Sequence, residues 1–175
     1  MNNKLWIGLA VVIVGLFGLW WWLGGFGSQV VVTSFNECVE AGNPVMESYP
    51  RQCRHGGQTF VENIGNGLEK TELITVDSVV PNSAIASPLT ITGQAVGPWY
   101  FEASFPVELK DGLGVTIATS IAQAQADWMT TAFVPFVATL TFVPPATPTG
   151  TLILHKDNPS GEPVNDDQLT IPVVF

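Results

Sequence analysis

Cysteine, histidine and charged residues are scarce in this chain. Its 175 residues include two cysteines, two histidines and six lysines and arginines, and charged residues make up 12% of the total. Two cysteines are too few for a disulfide-dense scaffold, and a net charge of −9 excludes a basic nucleic-acid-binding protein. Apolar residues reach 46%, which excludes a disordered chain. We therefore expect a folded protein that binds no nucleic acid.

Motifs of catalysis and metal binding are also missing. The sequence has no nucleophile elbow, zinc-protease motif, phosphate-binding loop or dinucleotide fingerprint. His55 lies close to Cys53, but these residues and Cys38 lack the spacing and the fourth ligand of a zinc site. We therefore expect a protein that is not an enzyme and that needs no cofactor.

The N-terminal 27 residues are dominated by one apolar run, residues 5–27, that has no ionisable side chain. A helix of this length spans about 30 Å, the thickness of the hydrocarbon core of a bilayer. Lys4 precedes the run, and the positive-inside rule then places the N-terminus in the cytoplasm and the later residues outside. Residues 1–27 are therefore predicted to be a single-pass transmembrane anchor in the cell membrane. A cleaved signal peptide is the alternative, although the run is about twice as long as the core of such peptides.

Residues 28–63 are predicted to form a small stalk unit of one helix and one β-hairpin. Ser34 and Glu37 have the spacing of a capping box, which predicts a helix that starts after Ser34 and stops at Gly42. Residues 55–58 read His-Gly-Gly-Gln, a signal for a tight hairpin turn.

A disulfide between Cys38 and Cys53 is predicted to hold this unit together. A unit of this size buries too little apolar surface to fold by burial alone. A disulfide at this separation adds about 3 kcal/mol in the chain-entropy model, and a location outside the cytosol permits it. The Gly- and Asn-rich stretch that follows predicts a flexible linker over residues 64–71.

Residues 72–175 show the pattern of an all-β sandwich. Short segments of alternating apolar and polar residues are separated by turn residues, and no long segment has the period of a helix. Phe105, Val107 and Leu109, for example, alternate with polar residues or proline, which predicts one buried and one solvated face. Seven strands are predicted, over residues 73–80, 89–95, 105–110, 115–125, 134–143, 151–156 and 169–175.

The same region resembles the immunoglobulin-like domain of bacterial spore germination. The resemblance covers about residues 72–175 and rests on the segments 87–95 (SPLTITGQA), 99–102 (WYFE), 105–107 (FPV), 127–129 (DWM), 157–161 (DNPSG) and 171–173 (IPV). It implies an immunoglobulin-like sandwich outside the bacterial cytoplasm that mediates interactions rather than catalysis. We therefore expect a binding or adhesion module of the cell envelope, and the alternative is a structural component that packs against other subunits of a surface assembly.

Two groups of loop residues are candidate sites. Trp99, Tyr100, Phe101 and Trp128 form either an exposed aromatic surface that stacks on sugars or a cap on the end of the core. The first of these alternatives makes a cell-wall glycan an expected partner, beside the membrane and an envelope protein.

Carboxylates form the second group. Asp157, Asp166 and Asp167 supply the oxygen ligands that Ca²⁺ prefers, but they lack the spacing of a calcium-binding loop. Aspartate is also common in turns, where it bonds to its own backbone. Turn formation is therefore the main expectation for this loop, and a calcium site is the alternative.

Overall fold

The computed structural model describes residues 31–175. The predicted transmembrane anchor, residues 1–27, lies outside the described residues. Within residues 31–175 no helix is long and apolar enough to cross a membrane. The described chain forms two compact units: the first holds residues 31–45 and Cys53–Phe60, and the second holds Met46–Gln52 and Val61–Phe175. The second unit therefore begins within the range predicted for the stalk.

A short helix opens the first unit. Helix α1 (Phe35–Glu40) begins at the predicted residue, because Ser34 Oγ accepts a hydrogen bond from Glu37 N at 3.2 Å. The Glu37 carboxylate accepts a hydrogen bond from Thr33 N at 2.7 Å, one residue before the cap. The capping box is thus present, with its second bond shifted by one residue.

Three short strands follow α1. They are β1 (Val45–Met46), β2 (Gln52–His55) and β3 (Gln58–Val61), and they form a sheet in the order β1–β2–β3. Gly56 and Gly57 both have positive φ and make the two-residue turn between β2 and β3, as the sequence predicts.

The predicted disulfide is confirmed. Cys38 of α1 is bonded to Cys53 of β2, and neither side chain is exposed. Phe35 and Phe60 pack against the disulfide and complete a small core within the first unit. The covalent bond is the centre of this core, as expected for a unit with few large apolar residues.

Seven strands build the second unit, and the prediction of a seven-strand all-β fold is confirmed. Every strand pairs antiparallel with its neighbours in the sheet, in the order β10–β9–β6–β7–β8–β5–β4. The strands are β4 (Ile74–Val76), β5 (Leu89–Val96), β6 (Ser104–Asp111), β7 (Thr116–Ala124), β8 (Phe133–Leu140), β9 (Thr149–His155) and β10 (Gln168–Val174).

This sheet folds over into two layers. Strands β7 and β8 pair only at Gln123 and Ala124 of β7, so strands β4, β5 and β8 form one layer and strands β7, β6, β9 and β10 form the other. Side chains of both layers meet in one core. The rings of Phe105 on β6 and Phe136 on β8 are in edge-to-face contact with centroids 5.0 Å apart. This arrangement is a β-sandwich.

The burial pattern follows the predicted alternation. On β6, Phe105, Val107 and Leu109 are at most 1% exposed. On β9, Leu152 and Leu154 are fully buried on the same side, but Ile153 between them is also buried, so this strand departs from strict alternation. The inward residues of one layer therefore form a continuous apolar surface against the other layer.

Residues 64–71, the predicted linker, are bonded to β10. Asn66 Oδ1 accepts a hydrogen bond from Thr170 N at 2.8 Å, and Asn66 Nδ2 donates one to Gln168 O at 2.9 Å. Gly65 has a φ of +75°, and a Cβ atom there would lie 1.9 Å from Thr170 O, so this approach requires glycine. The prediction of a flexible segment is wrong here, because Asn66 pairs with the edge of a strand.

A buried carboxylate anchors another part of the second unit. Glu62 is 9% exposed, and its carboxylate accepts hydrogen bonds from Arg51 Nε at 2.8 Å and from Asn82 Nδ2 at 3.1 Å. The hydrogen bond and charge of Arg51 lower the pKa of Glu62 below its ordinary value. A buried charge is tolerated here because it is paired and hydrogen-bonded.

Candidate ligand-binding surface

Three loops meet at one end of the sandwich. They are residues 97–103 between β5 and β6, 125–132 between β7 and β8, and 156–167 between β9 and β10. Asp157 N donates a hydrogen bond to Trp99 O at 3.0 Å, which joins the third loop to the first. We call these three loops the loop end.

Glycine makes the contact between the first two loops possible. A Cβ atom on Gly97 would lie 1.8 Å from Thr130 O and 2.3 Å from Trp128 O. The two backbones therefore pack directly against each other. In this way the fold brings together candidate residues that are far apart in the sequence, as expected for the loops at one end of an immunoglobulin-like sandwich.

Trp99 and Tyr100 are part of the core and not of the surface. A 3-10 turn (Gly97–Trp99) directs both rings inward, and they are 1% and 3% exposed. Tyr100 Oη donates a hydrogen bond to Val134 O at 2.7 Å, and burial raises the pKa of Tyr100 to about 12. Trp99 Nε1 is buried without a hydrogen-bond partner among residues 31–175. Of the two alternatives that the sequence left open, these two rings take the second and cap the core.

Phe101 and Trp128 remain accessible. Phe101 is 41% exposed, and Trp128 is half-buried against the edge of the core. Beside Trp128 lies Met129, which is 76% exposed and which sequence reasoning did not single out as a site residue. The feature of the sequence that points to Met129 is an apolar side chain next to Trp128 in an otherwise polar loop.

Trp128 and Met129 border a shallow groove of about 530 Å³ on the loop end. Asp127 Oδ1 accepts a hydrogen bond from Met129 N at 3.0 Å, and this bond fixes the turn that exposes the methionine side chain. The groove is open and lined by apolar and hydroxyl side chains, namely those of Pro98, Trp128, Met129, Thr130 and Thr131, together with Gly97.

The candidate calcium ligands line a second, polar groove, and two of the three carboxylates are already bonded within the protein. Asp166 Oδ1 accepts a hydrogen bond from Asn158 Nδ2 at 2.7 Å, and Asp167 Oδ1 accepts one from Lys70 Nζ at 2.6 Å. Within the described part of the chain, no group of three or more histidine, cysteine, aspartate or glutamate side chains is arranged to hold a metal ion. These contacts do not support calcium binding, and Asp157 and Asp166 remain as polar groups that line the groove.

A further polar cluster lies on the outer face of β6 and β9. His155 Nε2 is 3.1 Å from Glu108 Oε2, and Lys110 Nζ is 3.6 Å from Glu108 Oε1. The hydrogen bond that Thr116 donates to Glu108 lowers the pKa of this carboxyl, and His155 and Lys110 act in the same direction. The cluster stabilises neighbouring strands, and sequence reasoning expected no more of His155 than a solvated or hydrogen-bonded ring.

Comparison with known proteins gives one family. A model described as the immunoglobulin-like domain of bacterial spore germination matches residues 73–162, from the residue before β4 into the loop between β9 and β10. The resemblance seen in the sequence is thereby confirmed. No curated protein and no solved structure shows a significant match to the chain.

Proposed function

The chain belongs to the family of immunoglobulin-like domains of bacterial spore germination, and on this premise we propose that it is a non-enzymatic binding module of the bacterial cell envelope. The observation that carries the proposal is the loop end, where three loops of the sandwich form one accessible surface. Immunoglobulin-like sandwiches use such loops for recognition, because a rigid sandwich can present variable loops.

The loop end has the chemistry to bind a glycan of the cell wall. The half-buried ring of Trp128 and the exposed ring of Phe101 offer apolar faces for sugar rings. The second groove adds side-chain oxygens and amide groups of Asp157, Asn158 and Asp166, which pair with sugar hydroxyls. A glycan is an uncharged or weakly charged polymer of hydroxyl groups, so a net charge of −9 on the protein does not oppose its approach.

The place of action follows from the N-terminal apolar run. We propose that residues 5–27 anchor the chain in the cell membrane, with the N-terminus in the cytoplasm and the sandwich outside. The disulfide between Cys38 and Cys53 supports this location, because structural disulfides persist in oxidising compartments.

The test is a binding assay with purified cell-wall sacculi and the fragment 31–175, which contains both cores and the disulfide. We expect Met129→Ala and Trp128→Ala each to weaken binding at least about tenfold, or ~1.4 kcal/mol. The matched control is Leu113→Ala, since Leu113 is 80% exposed in the β6–β7 turn, away from the loop end.

Met129 is the decisive position. Trp128 packs partly against the core, so its replacement also changes stability, whereas the Met129 side chain is largely in solvent. Equal sacculus binding by Met129→Ala, Leu113→Ala and the unaltered fragment would contradict binding at the loop end.

A structural role is the second candidate function. In this alternative the sandwich packs against other subunits of a surface assembly. The observation in its favour is the open edge of β7, because an unpaired strand edge readily pairs with another chain. Chemical crosslinking in intact cells tests it, and recovery of the chain only as an uncrosslinked monomer would contradict it.

A further inference from the structure

Asn66 covers the outer edge of β10 with its side chain. Its Oδ1 accepts hydrogen bonds from Thr170 N at 2.8 Å and from Thr170 Oγ1 at 3.2 Å, and its Nδ2 donates to Gln168 O at 2.9 Å. The side-chain amide thus takes the place that a peptide group of a neighbouring strand would have. Natural proteins cover strand edges in this way because an open edge recruits other chains, so Asn66 protects this part of the sheet.

The same asparagine is followed by glycine. Residues 66 and 67 are the one Asn-Gly pair in the sequence. Glycine has no side chain beside its backbone nitrogen, so this nitrogen reaches the side-chain carbonyl carbon of the preceding asparagine more readily than that of a larger residue does. An asparagine in such a pair is chemically labile whenever its backbone is free to rotate.

We propose that Asn66 is a site of spontaneous deamidation, which the folded chain suppresses and which uncovers the edge of β10 once it has occurred. In this reaction Gly67 N attacks Asn66 Cγ, and the new N–Cγ bond closes a five-membered imide ring. The Cγ–Nδ2 bond breaks, and Nδ2 leaves as ammonia with the proton from Gly67 N. Water, the only co-reactant, then adds to one of the two ring carbonyl carbons and opens the ring to aspartate or isoaspartate.

Two features of the folded chain oppose closure of the imide ring. The hydrogen bonds to β10 hold the side-chain amide of Asn66 in one orientation. The backbone of Asn66 has a ψ of 17°, and its carbonyl accepts a hydrogen bond from Glu69 N at 3.0 Å in a 3-10 turn. The ring needs Cβ and the Gly67 nitrogen on the same side of the Cα–C bond, so ψ must rotate far from this value. Deamidation therefore requires local opening of the segment.

The product cannot restore the bonds of the asparagine. A carboxylate has no N–H group, so the donor to Gln168 O is lost, and a carboxylate oxygen in the position of Nδ2 is repelled by that carbonyl oxygen. Isoaspartate also adds a methylene group to the main chain. This addition falls one residue after Gly65, where a Cβ atom would lie 1.9 Å from Thr170 O, so the close approach has no room for a longer main chain. A transient opening of the segment thus becomes permanent.

Mass spectrometry of the full chain in detergent micelles tests the site. The chain is incubated at neutral pH, either folded or in guanidinium chloride, and then digested with trypsin. Cleavage after Arg54 and Lys70 gives one peptide that contains both Asn63 and Asn66. Asn63 is the internal control, because it precedes Ile64, whose β-branched side chain hinders the attack. We expect the unfolded chain to deamidate at Asn66 faster than at Asn63.

Folding should slow deamidation at Asn66 at least about tenfold relative to the unfolded chain, since opening breaks several hydrogen bonds. Equal rates at Asn66 in the folded and the unfolded chain would overturn protection by the fold. Gly67→Ala tests the chemistry, because a Cβ atom there meets Leu169 Cδ1 at 3.9 Å, an ordinary contact that the fold accommodates. In the unfolded Gly67→Ala chain the rate at Asn66 should fall toward that of Asn63. Equal rates at the two asparagines of the unaltered unfolded chain would overturn the assignment of the site.

Asn66→Asp tests the consequence for β10, since it places the product of deamidation in the chain. Amide hydrogen exchange of β10 should become about fivefold faster, the effect of one lost hydrogen bond. The matched control is Asn63→Asp, which adds the same charge. Asn63 Oδ1 accepts a hydrogen bond from Gly65 N at 3.0 Å, and aspartate retains that acceptor. Equal exchange of β10 in Asn66→Asp and Asn63→Asp would show that deamidation does not uncover the edge and would overturn that part of the proposal.

Discussion

Replacement of Phe136 by alanine is a direct test of the core that joins the two layers. Phe136 is 2% exposed on β8, and its ring contacts Phe105 of the opposite layer with centroids 5.0 Å apart. Removal of a buried phenylalanine side chain costs about 3–5 kcal/mol through lost burial and the cavity left behind. The lost ring contact accounts for about 0.5–1.5 kcal/mol of that cost. Domains of this size are stable by about 5–15 kcal/mol, so the loss is a large fraction of the total.

Urea unfolding of the fragment 31–175 measures this loss through tryptophan fluorescence. The fragment retains Trp99 and Trp128, and Trp99 lies in the same core as Phe136. The matched control is Phe133→Ala, the same change on the same strand at a side chain that is 37% exposed, for which we expect less than about 1 kcal/mol. Thermal unfolding should show a Tm at least about 12 °C lower for Phe136→Ala. If both variants lose the same free energy of unfolding, the assignment of Phe136 to a shared core is refuted.

Three further changes follow from single contacts. The pKa of Glu62 lies below its ordinary value of 4.5, so the stabilising effect of this carboxylate is present above pH 4.5 and is lost as the pH falls through the folded pKa. Glu62→Gln should therefore flatten the fall in the free energy of unfolding at acid pH, measured by urea unfolding at several pH values. Cys38→Ser should destabilise the first unit by about 3 kcal/mol, seen as faster amide exchange in α1, and unchanged exchange there would contradict it. Asn66→Ala leaves Thr170 N without its acceptor and should cost about 1–3 kcal/mol in urea unfolding, with faster exchange of that amide.

The strands of the sandwich could be predicted because their burial alternates along the chain. In β6 the apolar residues Phe105, Val107 and Leu109 occupy every second position, and the structure buries these three. Apolar residues recur at every second position whenever one face of a strand meets the core, so the pattern can be read from neighbouring residues alone. The capping box at Ser34 and the Gly56–Gly57 turn are local in the same sense, since each involves neighbouring residues.

The candidate site was less predictable because it depends on contacts between distant residues. A tryptophan in a polar loop does not reveal whether its ring turns inward. The ring of Trp99 does so in a turn whose backbone is bonded to Asp157, a residue far along the chain. Asn66 lies in a stretch typical of linkers. Its side chain is bonded to the edge of β10 only because the fold places Thr170, a residue far along the chain, beside it. The same holds for β7, whose open edge is a property of the sheet order and not of its residues.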